Sequence, residues 1–218
     1  MENKDKKIET VESIIADAKK TSGAEGDDSL ALVSEKPTSL KSEIFSWVKL
    51  VVLAVGIAFF INSFIIVNAS VPTGSMRPTI PDRTRLIAFR LSYTFSEPER
   101  LDVIVFNSPD GTRTRYVKRI IGLPNDVINI IDGMVFINDD PTPLDEWYLY
   151  EPPAGPLSLT PQTFTVPEGH FFVMGDNRND SQDSRGLGGD PWDNLFVPEG
   201  NIMGRAIFTY FPRIGGIR

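Results

Sequence analysis

One long apolar run occupies residues 47–67, WVKLVVLAVGIAFFINSFIIV. About 20 apolar residues at 1.5 Å each match the thickness of a hydrocarbon core, so the run predicts a transmembrane helix over residues 46–67. A cleaved signal peptide has a shorter apolar region and does not follow 45 hydrophilic residues. A helix packed on a small domain keeps a polar face, which this run lacks. The pattern therefore predicts one uncleaved membrane anchor.

The residues before this run are hydrophilic, and their composition predicts a mostly disordered tail. Apolar residues at helical spacing predict a short amphipathic helix inside the tail: Ile8, Val11, Ile15 and Ala18. The residues after the run are enough to bury one core and contain no second hydrophobic span. We therefore predict a hydrophilic tail over 1–45, a span over 46–67 and a globular domain over 68–218. Lysines at the N-terminal flank of the span favour a cytoplasmic tail and an extracytoplasmic domain, but three arginines follow its other end: Arg77, Arg83 and Arg85.

The globular part alternates short apolar runs with turns, which is typical of β-strands rather than helices. The pair Asp132-Gly133 separates two such runs and predicts a tight hairpin turn. Residues 139–167 contain seven prolines and predict a long extended loop. Strands are predicted over residues 103–106, 116–121, 127–131, 134–138, 170–174 and 201–211.

Charge and composition exclude several classes of function. The net charge of -7 argues against nonspecific binding of nucleic acid, which uses basic surfaces. The chain has no cysteine and one histidine, His170. Disulfides, thiol catalysis, iron–sulfur clusters and zinc sites with two histidines are therefore excluded. We predict neither a metal site nor a cofactor.

Two residues of the globular part are candidates for nucleophilic catalysis. Ser75 lies between a glycine and nearby prolines, on a rigid turn that can present its hydroxyl group. If residues 114–120 form a strand, Lys118 shares one face with Tyr116 and Ile120. The other face carries Val117 and two arginines, in line with Arg113 just before the strand. Burial among apolar neighbours lowers the pKa of a lysine and makes it available as a base. The rival base is His170 in a Ser-His-Asp triad, although it opens an apolar strand.

Two further patterns match known motifs only in part. SWVK at 46–49 has the S-x-x-K spacing of β-lactamases, but it lies at the membrane edge and lacks their partner motifs. The polar stretch 176–185 has the composition of a calcium loop, yet Arg178 and Ser181 occupy its third and sixth positions. An EF-hand needs an oxygen ligand and a glycine there. We expect ion pairs of the acids with Arg178 or Arg185 to hold this stretch as a structured loop.

Four motifs, in order behind a single predicted span, resemble those of the bacterial type I signal peptidases (leader peptidases). SMRPTI at 75–80 matches the family's S-M-x-P-T-[LI], and LDVIVF at 101–106 resembles its G-D-[IV]-[IV]-x-F. RYVKRIIGLPND at 115–126 matches R-Y-[VI]-K-R-[IV]-[IV]-[GA]-x-P-G-D. GDNRNDSQDSR at 175–185 matches G-D-N-R-x-N-S-x-D-S-R. Together the four motifs are highly specific, whereas any one alone is modest.

The chain departs from these motifs at three positions. Leu101 and Asn125 stand where the family has glycine, so they bear on local backbone geometry. Asp180 stands where the family has asparagine and changes the charge balance beside Ser181. None of the three departures removes the candidate nucleophile or base.

The resemblance implies a catalytic dyad in which Ser75 attacks the scissile carbonyl and Lys118 takes its proton. It implies an oxyanion hole formed by the backbone N–H of Ser75 and the hydroxyl of Thr73, with Ser181 orienting Lys118. Four charged residues of the polar stretch would support the site: Asp176, Arg178, Asp183 and Arg185. The substrate pockets would be lined by Val71, Pro72, Ile80, Tyr116 and Val117.

The resemblance also implies the fold, the substrate and the location. The fold is a mainly antiparallel β-sheet catalytic domain behind one N-terminal transmembrane helix. The substrates are secretory preproteins with small residues at positions −1 and −3, and membrane lipid is the other partner. The location is the bacterial plasma membrane with the catalytic domain on its outer side, or the thylakoid membrane in a photosynthetic source. Two alternatives stay open at this point: a Ser/Lys peptidase acting on another protein, and a tethered interaction domain without catalysis.

Overall fold

The computed structural model describes residues 40–155, 160–186 and 196–218. The predicted amphipathic helix and almost all of the predicted tail lie outside these residues. Helix α1 covers Leu40–Phe60 and continues as a π-helical turn, Ile61–Ile65. Within Leu40–Ile65, an 18-residue window has a mean hydropathy of 2.4, so the stretch is long and apolar enough to cross a membrane.

The helix differs from the sequence prediction at both ends. It begins at Leu40, before the predicted start at residue 46, and its α-helical part already ends at Phe60. Ile66 and Val67, which hydropathy alone placed in the span, open the first strand instead. That strand is also apolar, and Val67 is a buried core residue, so the hydropathy pattern continues across the boundary.

The rest of the described chain is mainly antiparallel β-sheet, as predicted. One sheet has the strand order β1-β2-β10-β3-β4-β8-β9, with β11 paired to β10, and a smaller sheet has the order β6-β5-β7. The strands are β1 Ile66–Val71, β2 Thr84–Phe89, β3 Val103–Asn107, β4 Arg115–Gly122, β5 Val127–Ile131, β6 Met134–Ile137, β7 Gln162–Thr165, β8 His170–Met174, β9 Val197–Pro198, β10 Ile202–Phe211 and β11 Gly215–Gly216. Short 3₁₀ turns occur at Arg90–Tyr93 and Glu199–Asn201.

The six predicted strands are confirmed as β3, β4, β5, β6, β8 and β10, with bounds that agree within one residue. The predicted hairpin is confirmed too, since Ile131 pairs with Met134 across Asp132 and Gly133. Both turn residues have positive φ, 50° and 80°, as a two-residue hairpin turn requires. Strands β1, β2, β7, β9 and β11 were not predicted. Strand β7 lies inside the proline-rich segment that was predicted to be a continuous loop.

The sheet brings three distant parts of the chain to one place. In β1, Val67, Ala69 and Val71 point inward and pack in one buried cluster with Val117 of β4. Strand β4 also pairs with β8, where Arg119 lies opposite Met174. The turn after β1, the middle of β4 and the loop after β8 therefore meet at one site.

Candidate active site

Ser75 lies on the turn that follows β1, and both ends of this turn are fixed. The Arg77 N–H donates to the Gly74 carbonyl at 3.1 Å, which closes the turn. The next residue, Met76, is fully buried in the core beneath it. From the loop after β8, Asn177 donates its backbone N–H to the Ser75 carbonyl and its side-chain amide to the Gly74 carbonyl, at 3.0 and 3.2 Å. The serine hydroxyl is therefore held in a defined position.

Lys118 reaches the serine from the middle of β4. Its Nζ lies 2.8 Å from Ser75 Oγ, and both side chains are buried, with exposed fractions of 3% and 7%. Burial lowers the pKa of the Lys118 ammonium to about 8. About a tenth of the lysine is then neutral at pH 7, compared with less than one part in a thousand for an ordinary lysine. The contact unites the predicted nucleophile with the predicted base.

The surroundings of Lys118 are more polar than the strand pattern predicted. Asp183 and Arg185, from the loop after β8, act on its pKa in opposite directions, since the acid raises it and the guanidinium lowers it. The strand face therefore correctly predicted burial, but the prediction of purely apolar neighbours was wrong. The neighbouring Arg119 is buried as well, with 1% exposed, so not every arginine of the opposite face reaches solvent.

Thr73 lies on the other side of the nucleophile. Its hydroxyl oxygen is 3.4 Å from Ser75 Oγ. The backbone N–H of Ser75 donates to no other residue in the described part of the chain. The Thr73 hydroxyl and the Ser75 N–H are therefore two donors close to Ser75 Oγ, and an oxyanion hole needs such a pair.

Ser181 is buried in the same cleft but does not hydrogen-bond to Lys118. Its hydroxyl has no hydrogen-bond partner among the residues that the structure describes. It packs against Gly175, where an added Cβ would overlap the Ser181 hydroxyl and lie 2.5 Å from the Ser75 carbonyl oxygen. In this structure Ser181 therefore packs closely on a glycine and makes no hydrogen bond to Lys118.

The loop after β8 takes part in three buried ion pairs. Asp183 accepts two hydrogen bonds from the Arg185 guanidinium, at 2.8 and 2.9 Å, and one from the Gly175 N–H at 3.1 Å. Burial opposes ionisation of Asp183, but Arg185 outweighs it and keeps the pKa of this carboxyl below its ordinary value. The predicted pairing of Asp183 with Arg185 is therefore present.

The partners of Asp176 and Arg178 differ from the prediction. Asp176 is paired not with Arg178 but with Arg119, through contacts of 2.9 and 2.7 Å. Arg178 is paired with Glu146, in the loop between β6 and β7. Burial disfavours the Arg178 cation, yet Glu146 outweighs it and raises the pKa of Arg178 above its ordinary value. Sequence reasoning missed both Arg119 and Glu146 because these partners are far away along the chain.

A cleft of about 540 Å³ opens beside the dyad. The cleft is lined by both dyad residues and by four of the five predicted pocket residues: Val71, Pro72, Tyr116 and Val117. Thr73, Asp180 and Ser181 line it too. The fifth predicted pocket residue, Ile80, is fully buried in the core with Met76, because the turn after Ser75 folds it inward. Among the described residues, no group of three metal-ligating side chains comes together.

The three departures from the family motifs have different structural consequences. Leu101 and Asn125 have φ values of 73° and 69°, in the left-handed region that favours glycine. Both residues therefore adopt a backbone conformation that is sterically unfavourable for a residue with a Cβ atom. Asp180 is exposed in the cleft, and its charge raises the pKa of Lys118.

Comparison with known proteins agrees with this geometry. Residues 44–211 match the family described as signal peptidase, peptidase S26. "Probable signal peptidase I-2" of Synechocystis sp. is 37% identical over 177 residues, 77% of this chain and 74% of that protein. "Signal peptidase I" of Bacillus licheniformis is 35% identical over 83% of this chain and 96% of its own. "Thylakoidal processing peptidase 1, chloroplastic" of Arabidopsis thaliana is 32% identical over 73% of this chain and 46% of its own. The chain therefore belongs to the signal peptidase family, peptidase S26, and is a serine endopeptidase.

Proposed function

We propose that this chain removes N-terminal signal peptides from secreted preproteins, with Ser75 as nucleophile and Lys118 as general base. The observation that carries the proposal is the buried 2.8 Å contact between Lys118 Nζ and Ser75 Oγ at the side of an open cleft. A serine hydroxyl needs a base within hydrogen-bond reach, and a buried lysine with a lowered pKa supplies one near neutral pH.

The reaction follows from this contact. Neutral Lys118 accepts the Ser75 proton while Oγ attacks the scissile carbonyl carbon. The negative charge that develops on the carbonyl oxygen is met by the Ser75 N–H and the Thr73 hydroxyl. The Lys118 ammonium then protonates the leaving amine, and an acyl-enzyme remains on Ser75. Water, deprotonated by Lys118, hydrolyses this ester and releases the signal peptide.

The buried charged residues hold the site in position and do not transfer protons. Asp183 and Arg185 fix Gly175, and Gly175 packs against both Ser75 and Ser181. Ser181 is buried, unpartnered in the described structure and close to the base, so we assign it the orientation of Lys118 during turnover. Asp176 and Arg178 tie the same loop to the body of the domain through Arg119 and Glu146.

The cleft favours small side chains next to the scissile bond. Its strand side is lined by Val71, Pro72, Tyr116 and Val117, and the two valines are more than nine-tenths buried. We infer that these apolar walls accept alanine-sized residues and exclude bulky ones, which suits small residues at positions −1 and −3 of a signal peptide. A cleavage assay with a purified preprotein tests this. Replacing alanine at −1 by tryptophan should abolish cleavage, whereas efficient cleavage of the tryptophan precursor would contradict the proposed specificity.

We further propose that Leu40–Ile65 anchors the chain in the plasma or thylakoid membrane, with its N-terminus on the cytoplasmic or stromal side. Lys41 and Lys49 lie near the start of the helix, where the positive-inside rule expects them. The helix passes through the π-helical turn directly into β1, so the catalytic domain begins at the opposite end. Protease added outside sealed cells should remove a tag placed after residue 218 and spare a tag before residue 1. The reverse pattern would contradict both the orientation and the substrate.

A further inference from the structure

Glu146 lies outside the cleft beside Ser75 and Lys118, yet its side chain is directed toward the loop after β8, whose described residues 175–186 we call the catalytic loop. It comes from the loop between β6 and β7, and its side chain is only 7% exposed. Both carboxylate oxygens accept hydrogen bonds from Arg178, whose side chain is 1% exposed. The Tyr148 hydroxyl donates to the same carboxylate at 3.0 Å. Glu146 therefore neutralises a guanidinium that is almost completely removed from water.

Arg178 also donates a hydrogen bond close to the candidate nucleophile. Its Nε donates to the Gly175 carbonyl at 3.0 Å, and its own carbonyl accepts from Arg185 at 2.8 Å. Gly175 is the residue that packs against the Ser75 carbonyl, with no room for a methyl group. A chain of direct contacts thus runs from Glu146 through Arg178 and Gly175 to Ser75.

The loop that carries Glu146 contacts the catalytic loop at two further points. The Tyr150 N–H donates to the Asp176 carbonyl at 3.2 Å. Asn179, which lines the cleft, receives the Ala154 N–H at 2.8 Å and donates to Glu151 at 2.9 Å. Because Glu151 and Asn179 are exposed, Glu146 makes the one buried charged contact of this set.

We propose that Glu146 is a positioning residue for the peptidase reaction, acting through Arg178 to hold the catalytic loop against Ser75 and around Lys118. The proposal depends on the proposed function of the Ser75–Lys118 dyad. Glu146 itself contacts neither the substrate cleft nor the dyad in the described structure.

The consequence of losing Glu146 concerns the burial of Lys118. A buried guanidinium without its partner is strongly unfavourable, so Arg178 and the catalytic loop would shift toward water. That loop forms one wall around Lys118 and supplies the four charges with the largest effects on the pKa of the lysine: Asp176, Asp180, Asp183 and Arg185. Burial affects this pKa more than any one of these charges does. A more hydrated Lys118 is more easily protonated, so the acidic limb of the activity profile should move to higher pH.

Glu146→Gln tests this, with Asp126→Asn as the matched control. Asp126 also pairs with an arginine, Arg100, at 2.9 Å, but that pair contacts no residue of the dyad. For Glu146→Gln we expect the acidic limb in kcat/KM to rise by about one pH unit, kcat at pH 7 to fall about tenfold and KM to stay constant. For Asp126→Asn we expect a loss of thermal stability with an unmoved limb. A limb that is unmoved in Glu146→Gln would overturn the proposal.

A second variant keeps the test informative if Glu146→Gln fails to fold. The double variant Glu146→Gln/Arg178→Met leaves no unpaired buried charge, so it should fold, but it no longer holds the Gly175 carbonyl. We expect the same upward movement of the limb, and a folded double variant with the wild-type limb would overturn the proposal. The wild-type profile is measured in parallel. If the wild-type profile shows no acidic limb that depends on Lys118, the proposed dyad itself is contradicted. That result differs from an unmoved limb in Glu146→Gln, which contradicts only the role of Glu146.

Discussion

The pH dependence of cleavage tests the proposed role of Lys118 as the general base. Burial lowers its pKa to about 8, and the base is competent only when neutral. The neutral fraction is then about one half at pH 8 and about one hundredth at pH 6. We therefore expect kcat/KM to fall about 50-fold between these two values, with a slope that approaches tenfold per pH unit. An unshifted lysine would instead keep activity rising beyond pH 10.

The assay is the initial rate of preprotein cleavage at low substrate concentration, measured from pH 5.5 to 10 on the purified full-length protein in detergent. Low substrate makes the rate proportional to kcat/KM, whose acidic limb reports the pKa of the free enzyme. The same profile in His170→Gln removes the single histidine of the chain. Disappearance of the limb in this variant, or a limb near pH 10 in the wild type, would refute the assignment of Lys118 as the base.

Three other variants have defined outcomes. Thr73→Val removes the proposed oxyanion donor and should lower kcat at least about 100-fold with little change in KM. Thr73→Ser keeps a hydroxyl group and should stay active. If Thr73→Val has the same kcat as the wild type, Thr73 is not part of the oxyanion hole. Asp180→Asn removes a charge that raises the pKa of Lys118, so the acidic limb should move to lower pH, and an upward movement would contradict this sign. Asn125 has a φ of 69°, which asparagine tolerates better than alanine, so Asn125→Ala should lower the free energy of unfolding by about 1 kcal/mol. Asn125→Gly should not lower it. Chemical denaturation of the two variants measures this difference.

Local patterns were sufficient to predict most of the sheet. Alternation and turn residues identified β3–β6, β8 and β10, and the Asp132-Gly133 turn was correct in detail. Strand β1 was hidden because its apolar residues directly continue the hydropathy of the helix. Strand β7 was hidden by the prolines on either side of it, which dominate the local composition.

The pairing of Ser75 with Lys118 and that of Asp183 with Arg185 could be predicted from the sequence, whereas the partners of Asp176 and Arg178 could not. Burial of Lys118 follows from strand periodicity, and a turn serine is visible in the motif around Ser75. The choice of ion-pair partner depends on long-range packing, as with Arg119 and Asp176, which are 57 residues apart along the chain. Ile80 also shows that a local motif does not determine which side chains the fold buries. It belongs to the SMRPTI motif that begins at the candidate nucleophile, but the fold turns its side chain into the core.

The central hypothesis, that Ser75 and Lys118 act as one catalytic unit, is tested most directly by a double-variant comparison. Ser75→Ala, Lys118→Met and the double variant should all fold, since methionine fills the volume of the buried lysine stem. Residues that act together give non-additive losses, so each single variant should lower kcat by at least about 10⁴-fold and the double variant should be no worse than either. A double variant whose loss equals the product of the two single losses would contradict the dyad.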